Sequence, residues 1–81
     1  MLLPNKHITL SESILGLGCI ILELLTSNKD IDEIYIELGG LYRKGMVDAY
    51  HSYENTVIAV SFLYAIGAID KDNMGRLYRC D

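Results

Sequence analysis

The segment from Ile14 to Leu25 constrains the fold more than any other part of the chain. Its apolar residues are Ile14, Leu15, Leu17, Ile20, Ile21, Leu22, Leu24 and Leu25. Wound into a helix at about 100° per residue, they cover well over half the circumference. Only a narrow strip containing Glu12, Gly16 and Glu23 is plainly polar. A helix of this kind has to be covered from more than one side. Ser11 can cap its start, with Glu12 in the first turn, so the spacing predicts a helix from Ser11 through Leu25.

Two further helices follow. Asp30 is a good N-cap, and Asp32 and Glu33 suit the first turn of a second helix. Ile31, Ile34, Tyr35, Leu38, Leu41 and Tyr42 form one stripe at helical spacing, with Glu33, Glu37 and Lys44 opposite. Ile36 stands alone among the charges. Gly39-Gly40 weaken this helix, and Gly45 is a natural stop after Arg43-Lys44. Residues 46–52 read as a connector. Ser52 can cap a third helix with Glu54 in its first turn, ending at Gly67. Ala59, Phe62, Leu63 and Ile66 make its expected core face, with Val57, Val60 and Tyr64 on a second flank.

The ends read as β structure. Lys6-His7-Ile8-Thr9-Leu10 alternates polar and apolar residues, the pattern of a short strand. In the tail, Ala68-Ile69-Asp70 and Arg76-Leu77-Tyr78-Arg79-Cys80 flank the turn-rich Lys71-Asp72-Asn73-Met74-Gly75, a hairpin signal. The order is strand, helix, helix, helix, hairpin. The fold class expected is mainly α: a three-helix winged helix-turn-helix with a short N-terminal strand and a C-terminal β-hairpin wing. A plain three-helix bundle with an unstructured tail is the alternative. No repeat, linker or low-complexity tract divides the chain, so residues 1–81 read as one winged-helix-like domain.

Chemistry finds little purchase in this sequence. His7 and His51 are the obvious acid–base candidates, but neither has a serine, cysteine or carboxylate at a spacing that fixes a dyad; surface or capping roles suit them better. Cys19 and Cys80 belong to no CxxC pair and read as free thiols in a reducing cytoplasm. Asp70-Lys71-Asp72-Asn73 lacks the glycine and closing glutamate of a calcium loop. Gly16-Leu17-Gly18 falls inside a helix rather than after a strand, so it signals close helix packing and not a dinucleotide site. No catalytic residue, metal or cofactor is expected. No signal peptide is visible, and the longest apolar run is far shorter than the about 20 residues that span a bilayer. The expected location is the cytoplasm, with no membrane contact.

Binding remains. The chain carries 11 acidic and 7 basic residues, a net charge of −4. Independent DNA binders use a basic surface, and the third helix, which would read a groove, has no lysine or arginine between Tyr53 and Ile66. Arg43, Lys44, Arg76 and Arg79 could touch a phosphate backbone without reading bases. The hydrophobic share is 51%, and six residues are tyrosine, a side chain favoured at interfaces. Ile36, Val57, Val60 and Tyr64 are apolar residues beyond what one small core face requires, and are the candidate partner-binding residues. The bland alternative is that they thicken the core.

The stretches Leu3-Pro4-Asn5-Lys6-His7-Ile8 and Leu10-Ser11-Glu12-Ser13-Ile14-Leu15-Gly16-Leu17-Gly18, with Phe62-Leu63-Tyr64-Ala65-Ile66-Gly67-Ala68-Ile69 and Gly75-Arg76-Leu77, carry a resemblance. The chain resembles the middle components of bacterial ABC three-component systems, which include Lamassu-like anti-phage defences. The resemblance implies a non-catalytic adaptor linking an SMC-like ABC ATPase to an effector, often a nuclease or protease. Nucleic acid would then be met only through the complex, and no catalytic residue carries over. A winged-helix transcription regulator is the second reading, and a small enzyme is a third that nothing in the sequence favours.

Overall fold

The structure, a computed structural model, describes residues 13–81. The N-terminal strand expected at residues 6–10 lies outside them. Three helices are followed by a two-stranded antiparallel hairpin: α1 (Ile14–Leu24), α2 (Ile31–Arg43), α3 (Tyr53–Ala65), β1 (Ile69–Lys71) and β2 (Leu77–Arg79).

Local chemistry accounts for the helix ends. Helix α1 begins later than the expected Ser11. Ser13 is its N-cap, in extended conformation, and its Oγ accepts a hydrogen bond of 2.9 Å from the Gly16 N–H. The Ser13 side chain thus satisfies one of the unpaired N–H groups of the first turn. Asp30 caps α2 and forms a reciprocal box with Glu33: each side chain bonds the other residue's N–H, at 2.9 and 3.0 Å. Ser52 caps α3 by accepting from Asn55, and the Thr56 hydroxyl donates to the Ser52 carbonyl. Gly45 and Gly67, just past α2 and α3, have φ of 75° and 78°, the left-handed conformation in which glycine carries no Cβ penalty.

The core runs through every element. Ile14, Leu17 and Ile21 of α1 and the following Leu25 meet Ile34 and Leu38 of α2, Ala59, Val60 and Leu63 of α3, and Ile69 and Leu77 of the hairpin. Helix α1 packs most closely on α3. Gly16 and Gly18 are both buried, which moves Gly16 off the polar strip assigned to it from the sequence. A Cβ at Gly18 would lie 3.3 Å from Leu63 Cδ2, so the small residue answers an internal contact.

Helix α3 is turned relative to expectation. Its buried residues are Thr56, Ala59, Val60 and Leu63, whereas Ile66 is exposed and Phe62 half-buried. Val60, assigned to an outer flank, is only 8% exposed and belongs to the core. Apolar side chains occur all round this helix, so the sequence pattern does not choose the face; the packing of Leu63 against Gly18 does.

In the hairpin Ile69 pairs with Arg79, Asp70 with Tyr78 and Lys71 with Leu77. Its turn is tied by Asp72, whose Oδ1 accepts from the Met74 and Arg76 N–H groups at 2.9 Å while Gly75 adopts φ 79°. One further pairing reaches across the fold. Lys29, in the connector between α1 and α2, exchanges both backbone hydrogen bonds with Leu77, at 3.0 and 2.7 Å. The connector thereby lies against the outer edge of β2.

Candidate functional site: two apolar grooves

Among the described residues, two surfaces collect apolar side chains that the core leaves out. The first lies between α3 and the hairpin. Val60, Ser61 and Tyr64 face Lys71 and Leu77 across an open groove of about 250 Å³ with mostly apolar walls. Tyr64 is 49% exposed, and Val57 and Ile58 on the same helix, with Ile66 directly after it, leave large apolar areas in water. Of the four candidate residues, Tyr64 and Val57 are on this helix surface, and Val60 contributes only the groove floor.

The second surface surrounds Ile36, which is 66% exposed. On one side Ile36 lines a groove with Tyr35, Gly39, Arg43 and Tyr50. On the other it lines a groove with Leu24, Glu37, Gly40, Leu41, Arg43 and Lys44. This surface shares no residue with the groove beside Tyr64.

A tyrosine cluster braces the second surface. Tyr35 and Tyr50 share a 3.0 Å hydrogen bond between their hydroxyls. Tyr35 meets Tyr53 edge-to-face, with ring centroids 5.3 Å apart, and Tyr42 meets Tyr50 at 5.7 Å. These pairs fasten the connector after α2 and the start of α3 to α2. The hydrogen bond to Tyr50 raises the Tyr35 hydroxyl above the ordinary tyrosine range, and the Asp32 carboxylate does the same for Tyr53. Only Tyr35 and Tyr42, on the stripe of α2, were legible as neighbours in the sequence; Tyr50 and Tyr53 join them through the fold.

The four candidate cations do not form one patch. Arg43 and Lys44 close the end of α2, while Arg76 and Arg79 are on the hairpin and already bonded within the chain. Arg76 pairs with Asp72 at 3.5 Å, and Arg79 donates to the Leu22 carbonyl at 3.2 Å. The Asn28 amide and the Arg76 N–H hold the Asp72 carboxyl below the usual aspartate range. Asp72 therefore fastens the turn, in the stretch that superficially resembled a calcium loop. His51, expected at the surface or as a cap, is 7% exposed and engaged within the fold just before Ser52. Among the described residues, no three His, Cys, Asp or Glu side chains gather as metal ligands. None of the described helices is long and apolar enough to cross a membrane.

Among the described residues, three helices and a C-terminal hairpin leave two open apolar surfaces on different elements, one with a single groove and one with a groove on each side of Ile36. The chain belongs to the family ABC-three component (ABC-3C) system Middle Component 6, which it matches over residues 3–80. It is thus a middle component of a multi-component ABC system, and such a component has partner subunits. No curated protein and no solved structure matches it significantly.

Proposed function

We infer that the chain is a non-catalytic adaptor, a cytoplasmic winged-helix domain that links an SMC-like ABC ATPase to an effector nuclease or protease in a bacterial anti-phage defence complex. The observation that carries this reading is the pair of apolar surfaces. A linker needs two surfaces that can be occupied at once, and the groove beside Tyr64 and the surface around Ile36 have no lining residue in common. Exposed large apolar side chains border both, as at surfaces that partners cover.

The winged-helix part of the reading is supported by the Lys29–Leu77 bridge. Helix, short extended segment, two helices and hairpin, with the segment bonded to the second hairpin strand, is the connectivity of a winged helix. Such domains often bind DNA through the third helix. Here the exposed side of α3 offers Glu54, Val57, Ile58 and Tyr64 and no cation, which suits a protein surface and repels phosphate.

Co-expression with the other components of the same system tests the reading. The expected result is a complex holding all three, broken on the α3 side by Tyr64→Glu, while the isolated chain gives no gel shift with its own promoter at low salt. A chain that stays outside the complex, or a salt-sensitive shift by the chain alone, overturns it.

A further inference from the structure

We propose that the ridge formed by Ile36 and Arg43 is the docking site for an amphipathic helix of one partner subunit, a helix that carries carboxylates beside its apolar stripe. The proposal rests on the adaptor reading and specifies the chemistry of one of its two contacts.

The shape comes first. Ile36 and Arg43 line both grooves of the second surface and so form the divide between them. The groove on the Tyr35 and Tyr50 side holds about 220 Å³ and that on the Leu24 and Leu41 side about 360 Å³. A ridge one side chain wide between two channels accepts side chains spaced three and four residues apart on a helix laid across α2, which straddle Ile36. Gly39 and Gly40 sit on the two sides of this ridge. Among the described residues, a Cβ at Gly39 would meet the Arg43 guanidinium, at 3.2 Å, and one at Gly40 the same group, at 4.0 Å. Glycine weakens a helix interior relative to alanine. Two of them beside an exposed isoleucine leave room for the Arg43 guanidinium to lie along the helix at the groove edge.

The charge specifies the occupant. The chain is acidic overall, with a net charge of −4, and two cations of the described residues are neutralised in ion pairs, Lys29 with Glu37 and Arg76 with Asp72. Arg43 and Lys44, adjacent at the rim of this surface, have no carboxylate at ion-pair distance among the described residues. A nucleic-acid backbone answers the cations poorly, because it leaves Ile36 and the tyrosines against polar groups and meets Asp32, Glu33 and Glu37 on the same helix. A peptide helix with an apolar stripe and carboxylates at one end satisfies both. Its acidic end lies over Arg43 and Lys44, away from Asp32 and Glu33 at the start of α2.

The test uses the full chain and the other two components of its system, purified separately. Binding of each component is measured by titration for the wild type, Ile36→Glu, Arg43→Glu with Lys44→Glu, and Tyr64→Glu, with thermal melts to check folding. Because these side chains are exposed, the melts are expected to match. The proposal expects Ile36→Glu to abolish binding of one component and the double charge reversal to weaken the same component by about tenfold or more at low salt. It also expects that loss to shrink as salt rises, and Tyr64→Glu to leave this component bound. Full binding by Ile36→Glu overturns it while leaving the adaptor reading intact. So does a loss with Ile36→Glu that the charge reversal does not share, which points to a second copy of the chain or an uncharged occupant. A wild type that binds neither component overturns both readings.

Discussion

Helices α1 and α3 are alike on paper and opposite in the fold. Each is largely apolar, and each carries a single acidic residue within its bounds, Glu23 in α1 and Glu54 in α3, and no basic one. Yet α1 packs against α3 and α2, and Leu15 is the one large apolar residue it leaves exposed. Helix α3 leaves Tyr53, Val57, Ile58 and Tyr64 in water, and Ile66 directly after it. Apolar content alone therefore does not say which helix a small domain keeps for itself. Both helices meet more than one element. Helix α3 buries Thr56, Ala59, Val60 and Leu63 in a body that also holds α1, α2 and β1 and leaves its opposite side open, whereas α1 leaves only Leu15 exposed among its large apolar side chains.

Substitutions at three positions sharpen or break this contrast. The largest effect is expected at the centre of α1. Leu17 is fully buried, and Leu17→Ala should cost about 2–5 kcal/mol of stability by chemical denaturation, through lost transfer energy and the cavity left behind. A loss below about 1 kcal/mol would mean that α1 is not the enclosed helix described here. Next is the contact between the two helices. Gly18→Val pushes atoms against Leu63, and a cost of about 1–3 kcal/mol is expected from overpacking. Since the first added carbon meets the flexible end of Leu63, Gly18→Ala should cost less than the valine variant. Equal costs would place the strain in the backbone and not at Leu63. The smallest effect is expected on the free face of α3. Ile58→Ser should move the unfolding midpoint by no more than about 0.5 kcal/mol, because the side chain is already half in water. A loss comparable to that of Leu17→Ala would put Ile58 in the core and remove the contrast.

The parts of the fold legible in the sequence are those written in short-range chemistry. Asp30 and Ser52 mark helix starts because a side-chain oxygen bonds an N–H three residues on, and Gly45 and Gly67 mark ends because they adopt positive φ. Ile36 was legible as an oddity because an isoleucine among glutamates breaks a two-sided helix. The face of α3 was not legible, since a helix apolar on all sides has no preferred direction until a neighbour such as Gly18 fixes one. The start of α1 was not legible, because Ser11 and Ser13 can both cap and the sequence does not say which turn is first. The Lys29–Leu77 pairing left no trace either, because one bridge has no period to detect. The groove beside Tyr64 was not legible either, because it forms only where the hairpin folds back beside α3.

That bridge has a consequence for how the molecule is made. Lys29 stands early in the chain and Leu77 late, so the backbone groups of the early connector have no strand to bond until almost everything between has been synthesised. The two early helices can wind as they leave the ribosome, but closing the body around them waits for the last strand. A nascent chain stalled before Leu77 would leave the Lys29 backbone groups without that partner and the core without the Leu77 side chain.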